Sequence, residues 1–225
     1  MNPIMNRKTT MTQLKETNSI TCKAYDLLAE KYHTLFKDEL SKKEYDRKLI
    51  DTYAHYFSPC SIIYDVGCGP SGHIGKYLFD KGLNVTGIDI SEKCIDLAKT
   101  YNRDMTFKRM DMMNLQLDDH SIDGIISFYS IIHTPKENID TLFQEFKRAL
   151  KIGGKVLLAV KEGKGEGLEG HVLDSDMSIY FSYFTKKEVE TYFISNGFKL
   201  IFLECRTPYS DEIAVSRIYA IAESV

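Results

Sequence analysis

The chain has 225 residues and a formal net charge of −3 at pH 7, with acidic and basic residues interleaved along it. This length suits one domain with a single core, and the lack of a clustered basic tract argues against a nucleic-acid partner. Its five cysteines include no C-x-x-C pair, so neither a disulfide framework nor a metal site is expected. No signal peptide or long apolar stretch is apparent, so we expect a cytoplasmic protein without a membrane partner.

The N-terminal part of the chain is predicted to be helical after an irregular start. Residues 1–19 are polar and aperiodic, so we expect them to be frayed. Beyond them apolar residues recur at helical spacing, and a second helix is predicted over Glu44–Phe57. One face of the first helix carries Tyr25, Leu28, Ala29 and Tyr32. Pro59 then separates an N-terminal segment, residues 1–60, from the main part of the domain, residues 61–225.

From Ser61 the chain alternates between short apolar runs and helical patterns. The predicted strands cover residues 62–66, 84–89, 105–110, 122–128 and 155–160, with helices between them. Such alternation is typical of βαβ units around a mainly parallel sheet. Two final strands, at residues 198–204 and 214–222, are joined by a short connection and should pair as an antiparallel hairpin. The sequence thus predicts an α/β fold with seven strands and helices on both faces of the sheet.

The segment Glu162–Ser182 interrupts this alternation, because it is glycine-rich at first and aromatic toward its end. Long loops in compact domains are often functional, so the segment is either a substrate loop or a plain surface insertion. The aromatic run Tyr180–Phe184 is also open to two interpretations, as core or as pocket. On the functional interpretation, residues 163–184 and the N-terminal helices close over a bound ligand.

A glycine-rich loop, Asp65-Val-Gly67-Cys-Gly69-Pro-Ser-Gly72, follows the first strand and precedes a helix. Glycines allow the backbone to approach a ligand closely, and the helix N-terminus offers free N–H donors. Asp89 closes the next strand, where its carboxylate can accept hydrogen bonds from both hydroxyls of a ribose. Gly67, Gly69 and Gly72 also match the G-x-G-x-x-G fingerprint of dinucleotide-binding domains. The motif alone therefore leaves NAD open as a ligand.

Three further features argue against a dinucleotide. Asp65 places a carboxylate where it would repel a pyrophosphate but would suit a sulfonium ligand that carries an ammonium group. Asp111 ends the third strand, where it can accept a hydrogen bond from the exocyclic amine of adenine. The predicted C-terminal hairpin also departs from the parallel continuation that is usual in dinucleotide domains.

Five consecutive segments resemble the signature segments of class I S-adenosylmethionine-dependent methyltransferases. They are IIYDVGCGPSG, VTGIDIS, FKRMDMMNL, SIDGIISFYSIIH and RALKIGGKVLL, in the family's order over residues about 61–160. An early Tyr25-Asp26-x-x-Ala29-x-x-Tyr32 pattern resembles the helical lid of the small-molecule branch. The resemblance implies a Rossmann-like fold with an N-terminal lid over residues 1–60. It also implies that S-adenosyl-L-methionine donates a methyl group to an oxygen, nitrogen or carboxylate of a small molecule, leaving S-adenosyl-L-homocysteine.

The resemblance also implies which residues contact the cofactor. They are Asp65, Gly67, Gly69, Asp89, Ile90, Asp111, Met112 and Phe128. Asp65, Gly67 and Gly69 would contact the methionine part, and Asp89 would bind the ribose. Ile90, Asp111 and Met112 would contact the adenine, and Phe128 would lie where cofactor and acceptor meet. One difference from the usual family loop is that the third glycine comes at position 72, after Ser71, as if one residue were inserted.

The acceptor side is predicted to lie after the fourth strand. Tyr129 and His133 follow that strand directly, and His133 is the candidate catalytic base. The other candidate pocket residues are Tyr25 and Tyr32 of the first helix and Arg206, which follows the sixth strand. An imidazole with an ordinary pKa near 6.5 can take a proton from a hydroxyl or a protonated amine. The competing interpretations are that His133 only hydrogen-bonds a neighbouring loop and that the two helical tyrosines only pack. At the level of function, an RNA or protein methyltransferase and a non-catalytic cofactor- or NAD-binding module remain alternatives.

Overall fold

The computed structural model describes the backbone of residues 3–225 and the side chains from residue 13 onward. Its helices are α1 Pro3–Phe36, α2 Glu39–Lys42, α3 Glu44–Ala54, α4 His73–Phe79, α5 Glu92–Tyr101, α6 Ile139–Ala149 and α7 Lys186–Ser195. Its strands are β1 Ile62–Val66, β2 Asn84–Asp89, β3 Thr106–Arg109, β4 Ile122–Phe128, β5 Leu150–Lys161, β6 Glu166–Glu169, β7 Ile179–Ser182, β8 Phe198–Arg206 and β9 Arg217–Ser224. Two short 3-10 turns, Ile131–His133 and Lys136–Asn138, follow β4.

The main sheet has seven strands in the order β3-β2-β1-β4-β5-β9-β8. Strands β1 to β5 run parallel, whereas β9 is antiparallel to both β5 and β8. This arrangement confirms the predicted seven-stranded α/β fold with its C-terminal hairpin. The strand order changes direction between β1 and β4, and in such sheets ligands bind beyond the carboxyl ends of the strands at this switch point.

Helices cover both faces of the sheet, and each face has its own apolar core. One core contains Phe143 and Phe146 of α6 together with Phe193 of α7, all of them fully buried. The other core contains Ile50 and Tyr53 of α3 together with side chains of α4 and α5. The sheet is therefore the middle layer of a three-layer structure, and the part of its carboxyl edge that lies over β1 and β4 is where a ligand site can form.

The N-terminus departs from expectation, because α1 begins at Pro3 and the prediction of a frayed, aperiodic start is wrong for residues 3–19. Residues 1 and 2, which the prediction also covered, lie outside the described residues. The physical reason is a stripe of buried side chains at spacings of three and four residues: Leu14, Thr17, Thr21, Ala24 and Leu28. Two of these residues are threonines, so the stripe is helical in its spacing but weak in its hydrophobicity. In the described part of the chain, no helix is both long and apolar enough to span a bilayer.

The segment predicted as an open loop, Glu162–Ser182, contains a small antiparallel pair of strands, β6 and β7. Phe181 and Phe184 at its end are buried, whereas Tyr180 and Tyr183 are partly exposed. The aromatic run therefore belongs mostly to the core, because β7 packs against α1 and against the turn after β4.

The hydroxyl of Tyr53 joins α3 to the sheet, and this contact generates a test of the fold. It donates to the backbone carbonyls of Ile125 and Lys155, at 2.9 and 3.1 Å, and a Cβ atom at Gly124 would lie only 2.5 Å from it. We expect Tyr53→Phe to lower the free energy of unfolding by about 1 kcal/mol. Tyr56→Phe, at an exposed position of the same segment, is the control and should change it by less than about 0.5 kcal/mol. Urea denaturation measures both, and equal effects would contradict the assignment.

Candidate active site

A cleft of about 750 Å³, a volume that includes space open to solvent, lies at the carboxyl edge of the sheet. Its walls come from α1, the glycine loop, the ends of β2 and β3, and the segment after β4. The predicted site residues that line it are Tyr25, Tyr32, Gly67, Gly69, Asp89, Ile90, Asp111, Met112, Phe128, Tyr129 and His133. Asp65 and Arg206 do not line it, and neither do residues 163–184.

The path of the glycine loop favours glycine at the two positions that line the cleft. Gly67 and Gly69 have φ values of 76° and 62°, in the left-handed region that side chains disfavour. A Cβ atom at Gly67 would lie 2.2 Å from the side chain of Ser130, just after β4. Gly72 is the N-cap of α4, faces the ring of Phe107 and lies outside the cleft. The additional residue of this loop is therefore accommodated on the side away from the ligand.

Asp89 is held in place by the backbone of the loops beside it. One carboxylate oxygen accepts from the Gly69 N–H at 3.0 Å and the other from the Ser91 N–H at 2.9 Å. A carboxylate has about four lone-pair positions, so two remain for the hydroxyls of a ribose. Burial raises the pKa of Asp89 to about 6, although these backbone hydrogen bonds act in the opposite direction.

The far end of the cleft is formed by Asp111 and apolar side chains that include Ile90 and Met112. Asp111 accepts from the Met113 N–H at 2.9 Å and from the side-chain amide of Asn18 at 3.3 Å. Asn18 and Thr21 of α1 also line the cleft, and sequence reasoning missed both. Their spacing to Tyr25 places them on the same helical face, but the helix was predicted to begin only at Thr21, which left Asn18 outside it.

Asp65 lies behind the glycine loop instead of in the cleft. It is almost fully buried, and its carboxylate accepts from the Gly75 N–H at 2.9 Å, which fastens α4 to β1. Burial raises the pKa of Asp65 to about 7. Asp65 thus has a structural contact with the first turn of α4, whereas its predicted role in orienting the ammonium group of the cofactor stays a prediction.

Arg206 is also away from the cleft, because its guanidinium is engaged elsewhere. It pairs with Glu212 at 2.9 and 3.1 Å and donates to the Tyr219 hydroxyl at 3.0 Å. Arg206, which was predicted to line the acceptor pocket, is therefore part of a buried ion pair that lies behind Tyr129. The strands β6 and β7 do not cover the cleft either; they contribute the backbone that supports His133.

His133 has both ring nitrogens hydrogen-bonded. Nδ1 lies 2.9 Å from the Tyr180 carbonyl, which can only accept, so Nδ1 carries the hydrogen. In the neutral ring, Nε2 then accepts from the Tyr25 hydroxyl at 2.9 Å. Burial lowers the pKa of His133 to about 4, so the ring is neutral near pH 7. Burial also raises the pKa of Tyr25, which keeps its hydroxyl protonated.

The comparisons with known proteins agree with this geometry. Residues 64–158 match the family described as "Methyltransferase domain". A crystal structure of a SAM-dependent methyltransferase from Methanosarcina mazei aligns with a TM-score of 0.70 at 21% identity, over 77% of this chain and 97% of that one. The family match and the fold together support a class I S-adenosylmethionine-dependent methyltransferase. The antiparallel end of the sheet and the family match together favour S-adenosylmethionine over NAD.

Curated relatives of this methyltransferase differ in the acceptors that their names state. Phosphoethanolamine N-methyltransferase 2 of Caenorhabditis elegans is 27% identical over 208 residues, which is 79% of this chain and 47% of that protein. An eEF1A lysine and N-terminal methyltransferase of Xenopus laevis is 32% identical over 114 residues, 45% of this chain and 16% of that protein. This chain spans less than half of either relative, so neither name assigns an acceptor to it.

The cleft fits S-adenosylmethionine in its polar groups. The hydroxyl of Thr21, a cleft residue, is buried without a hydrogen-bond partner among the described side chains. Asp89 would hold the ribose, Asp111 the adenine amine, and the glycine loop the methionine part. No group of three metal-ligating side chains occurs in the described part of the chain.

Asp89 generates the second prediction. Asp89→Ala removes the buried acceptor of the ribose hydroxyls, a charge-assisted contact worth about 1.5–3 kcal/mol. We expect the Kd for S-adenosylhomocysteine to rise by about 10- to 150-fold in calorimetric titration. Asp96→Asn, at an exposed position on α5, is the control and should leave the Kd unchanged. An Asp89 variant with wild-type affinity would mean that the ribose lies elsewhere.

Proposed function

We propose that this methyltransferase acts on a small molecule that binds in a chamber between α1 and the segment after β4. The observation that carries the proposal is the contact between Tyr25 and His133, because it joins α1 to the acceptor end of the sheet. Tyr32 continues this wall, with its ring 5.8 Å from that of Tyr25. A polymer substrate would need an open groove at this place, and an RNA would also favour a basic surface, which a net charge of −3 does not supply.

The chain's own residues would contribute alignment and exclusion of water. S-adenosylmethionine, when bound, supplies an activated methyl group on a sulfonium. The glycine loop and Asp89 would fix the cofactor at one end of the cleft, while aromatic rings of Phe128, Tyr129 and Tyr25 would surround the acceptor. Holding two reactants in line is the larger part of the work in such a displacement, and an enclosed aromatic chamber keeps water from competing.

His133 would act on the acceptor through Tyr25, because its Nε2 is already occupied by the Tyr25 hydroxyl. A hydroxyl or ammonium group of the acceptor would pass its proton to the Tyr25 oxygen while the Tyr25 proton moves to Nε2. The Tyr180 carbonyl, which accepts from Nδ1, would support the resulting imidazolium. An acceptor that needs no base would leave His133 with the structural role of holding α1.

A turnover screen tests the proposed function. The protein is incubated with methyl-labelled S-adenosylmethionine and a panel of small hydroxy, amino and carboxylic compounds, and mass spectrometry identifies the methylated product. Total protein and total RNA are the comparison arms. Label in a small molecule is the expected result, whereas label confined to protein or RNA would overturn the proposal.

The same assay tests His133. If the ring is the base, His133→Ala lowers kcat by about 10²–10⁴ and leaves the Kd for S-adenosylhomocysteine nearly unchanged. Tyr25→Phe keeps the ring and removes only the relay hydroxyl, so it should lower kcat as well. The ring loses its base function only when it is protonated. In the pH–rate profile of the wild type, kcat should therefore decrease only as the pH drops to near 4, well below the ordinary pKa of histidine. A His133 variant with wild-type kcat would assign this residue to structure alone.

A further inference from the structure

Tyr129 occupies an unusual position at the acceptor end of the cleft. It is the first residue after β4 and has a φ of 53°, in the left-handed region that a residue with a side chain rarely adopts. Among the described non-glycine residues with positive φ, Tyr129 alone lines the cleft. Its N–H donates to the Ala159 carbonyl at 2.8 Å, and its hydroxyl lies 2.9 Å from that of Tyr219. A tyrosine in this backbone conformation needs contacts that stabilise it, and the hydrogen bond with Tyr219 is one of them.

Tyr219, on β9, is fully buried, and its hydroxyl links Tyr129 to charged groups. Its hydroxyl donates to Asp46 of α3 at 2.6 Å and accepts from Arg206 at 3.0 Å. Because Tyr219 has one proton and a carboxylate can only accept, that proton belongs to the bond with Asp46. Tyr129 must therefore donate to Tyr219. The proton of Tyr129 is directed away from the acceptor, to which this side chain offers no hydrogen.

The charged groups behind Tyr219 are buried, with side-chain exposures of 2% for Asp46, 4% for Glu212 and 10% for Arg206. Glu212 pairs with Arg206 at 2.9 Å, and also with Arg217 at 3.3 Å and Lys43 at 3.4 Å. Burial opposes the charge on Glu212, but the hydrogen bonds from Arg206 and from the backbone hold its pKa at about 2. A buried ionic cluster adds little stability compared with apolar packing. Its position directly behind a wall of the cleft indicates a different role.

We propose that Asp46 and Arg206 are positioning residues for the acceptor, acting through Tyr219 on the orientation and the proton of Tyr129. The proposal rests on the proposed function, which assigns Tyr129 to the acceptor chamber. It also gives Arg206 a part in acceptor binding, although its side chain does not reach the cleft. The connection runs from α3 through β9 to β4, so elements that are distant in sequence fix one side chain at the site.

Conservative variants separate positioning from simple stability. Tyr219→Phe breaks the chain of hydrogen bonds while keeping shape, and Tyr129→Phe breaks it from the other end. Asp46→Asn keeps an acceptor oxygen but removes the charge that fixes the direction of the Tyr219 proton and adds an N–H donor. Tyr45→Phe is the matched control, because the Tyr45 ring packs against Tyr219 but its hydroxyl bonds Glu204 instead. With the acceptor found in the turnover screen, the first three variants should raise its KM about tenfold and leave the Kd for S-adenosylhomocysteine within twofold. The double variant Tyr129→Phe/Tyr219→Phe should be no worse than either single one, because both remove the same bond.

A second measurement does not depend on the acceptor. In protein labelled with [13Cζ]tyrosine and bound to S-adenosylhomocysteine, the Tyr129 signal is the one that disappears in Tyr129→Phe. It should shift in Tyr219→Phe and Asp46→Asn but not in Tyr45→Phe. If the screen finds no acceptor, the proposed function fails, and the signal still decides whether Asp46 controls Tyr129. An unshifted signal, or a KM equal to that of the control with only a lower Tm, would overturn the proposal.

Discussion

The docking of α1 across the carboxyl edge of the sheet is the constraint on which the site depends. The sheet by itself offers a glycine loop and a row of carboxylates along an open edge, and α1 supplies the opposite wall. Its polar side chains reach the ends of three strands and the glycine loop. The contacts are Asn18 with Asp111, Asp26 with Ser91, Tyr25 with His133, and His33 with Ser71. One helix thereby touches the glycine loop and the segments that follow β2, β3 and β4.

The same contacts tie the electrostatics of the cleft to its architecture. The pKa values of Asp65 and Asp89 are both raised by burial, to about 7 and about 6. A cationic ligand nearby favours the charged form of a carboxyl group and lowers its pKa, so Asp89, the one of the two that lines the cleft, suits a sulfonium cofactor better than a pyrophosphate. On the acceptor side, His133 is neutral and the proton of Tyr129 is turned toward Tyr219. The cleft is thus acidic at the ends of β2 and β3, and neutral and aromatic beside the segment after β4, where we propose that the acceptor binds.

Much of the fold could be predicted from the sequence, because strands β1 to β5 are short apolar runs that end in turn residues. The seven-stranded sheet, its antiparallel end and the glycine loop were all predicted from local patterns. The start of α1 was not, since its buried stripe includes Thr17 and Thr21 and its partners lie more than 90 residues away. Arg206 was placed at the acceptor because it follows a strand end, but no local signal reveals that Glu212 and Tyr219 engage its guanidinium.

Segments with an unusual composition were the hardest to interpret. The glycine-rich stretch before β7 suggested a loop over the ligand, whereas it forms a strand pair whose Tyr180 carbonyl supports His133. Which face of a hairpin meets the site depends on its packing against other elements, and composition does not encode that. Residue types near the cofactor were easier to predict, because glycines and strand-end carboxylates have few other reasons to occur in that order.

Hydrogen exchange tests most directly whether α1 is a wall of the cofactor site. Exchange of backbone amides is followed by mass spectrometry with and without S-adenosylhomocysteine, comparing residues 18–33 of α1 with α3, which packs on a face of the sheet away from the cleft. If α1 closes on the cofactor, its amides exchange more slowly in the complex while those of α3 change little. Protection of the glycine loop with no change in α1 would contradict the central claim, because the cofactor would then bind to the sheet edge alone.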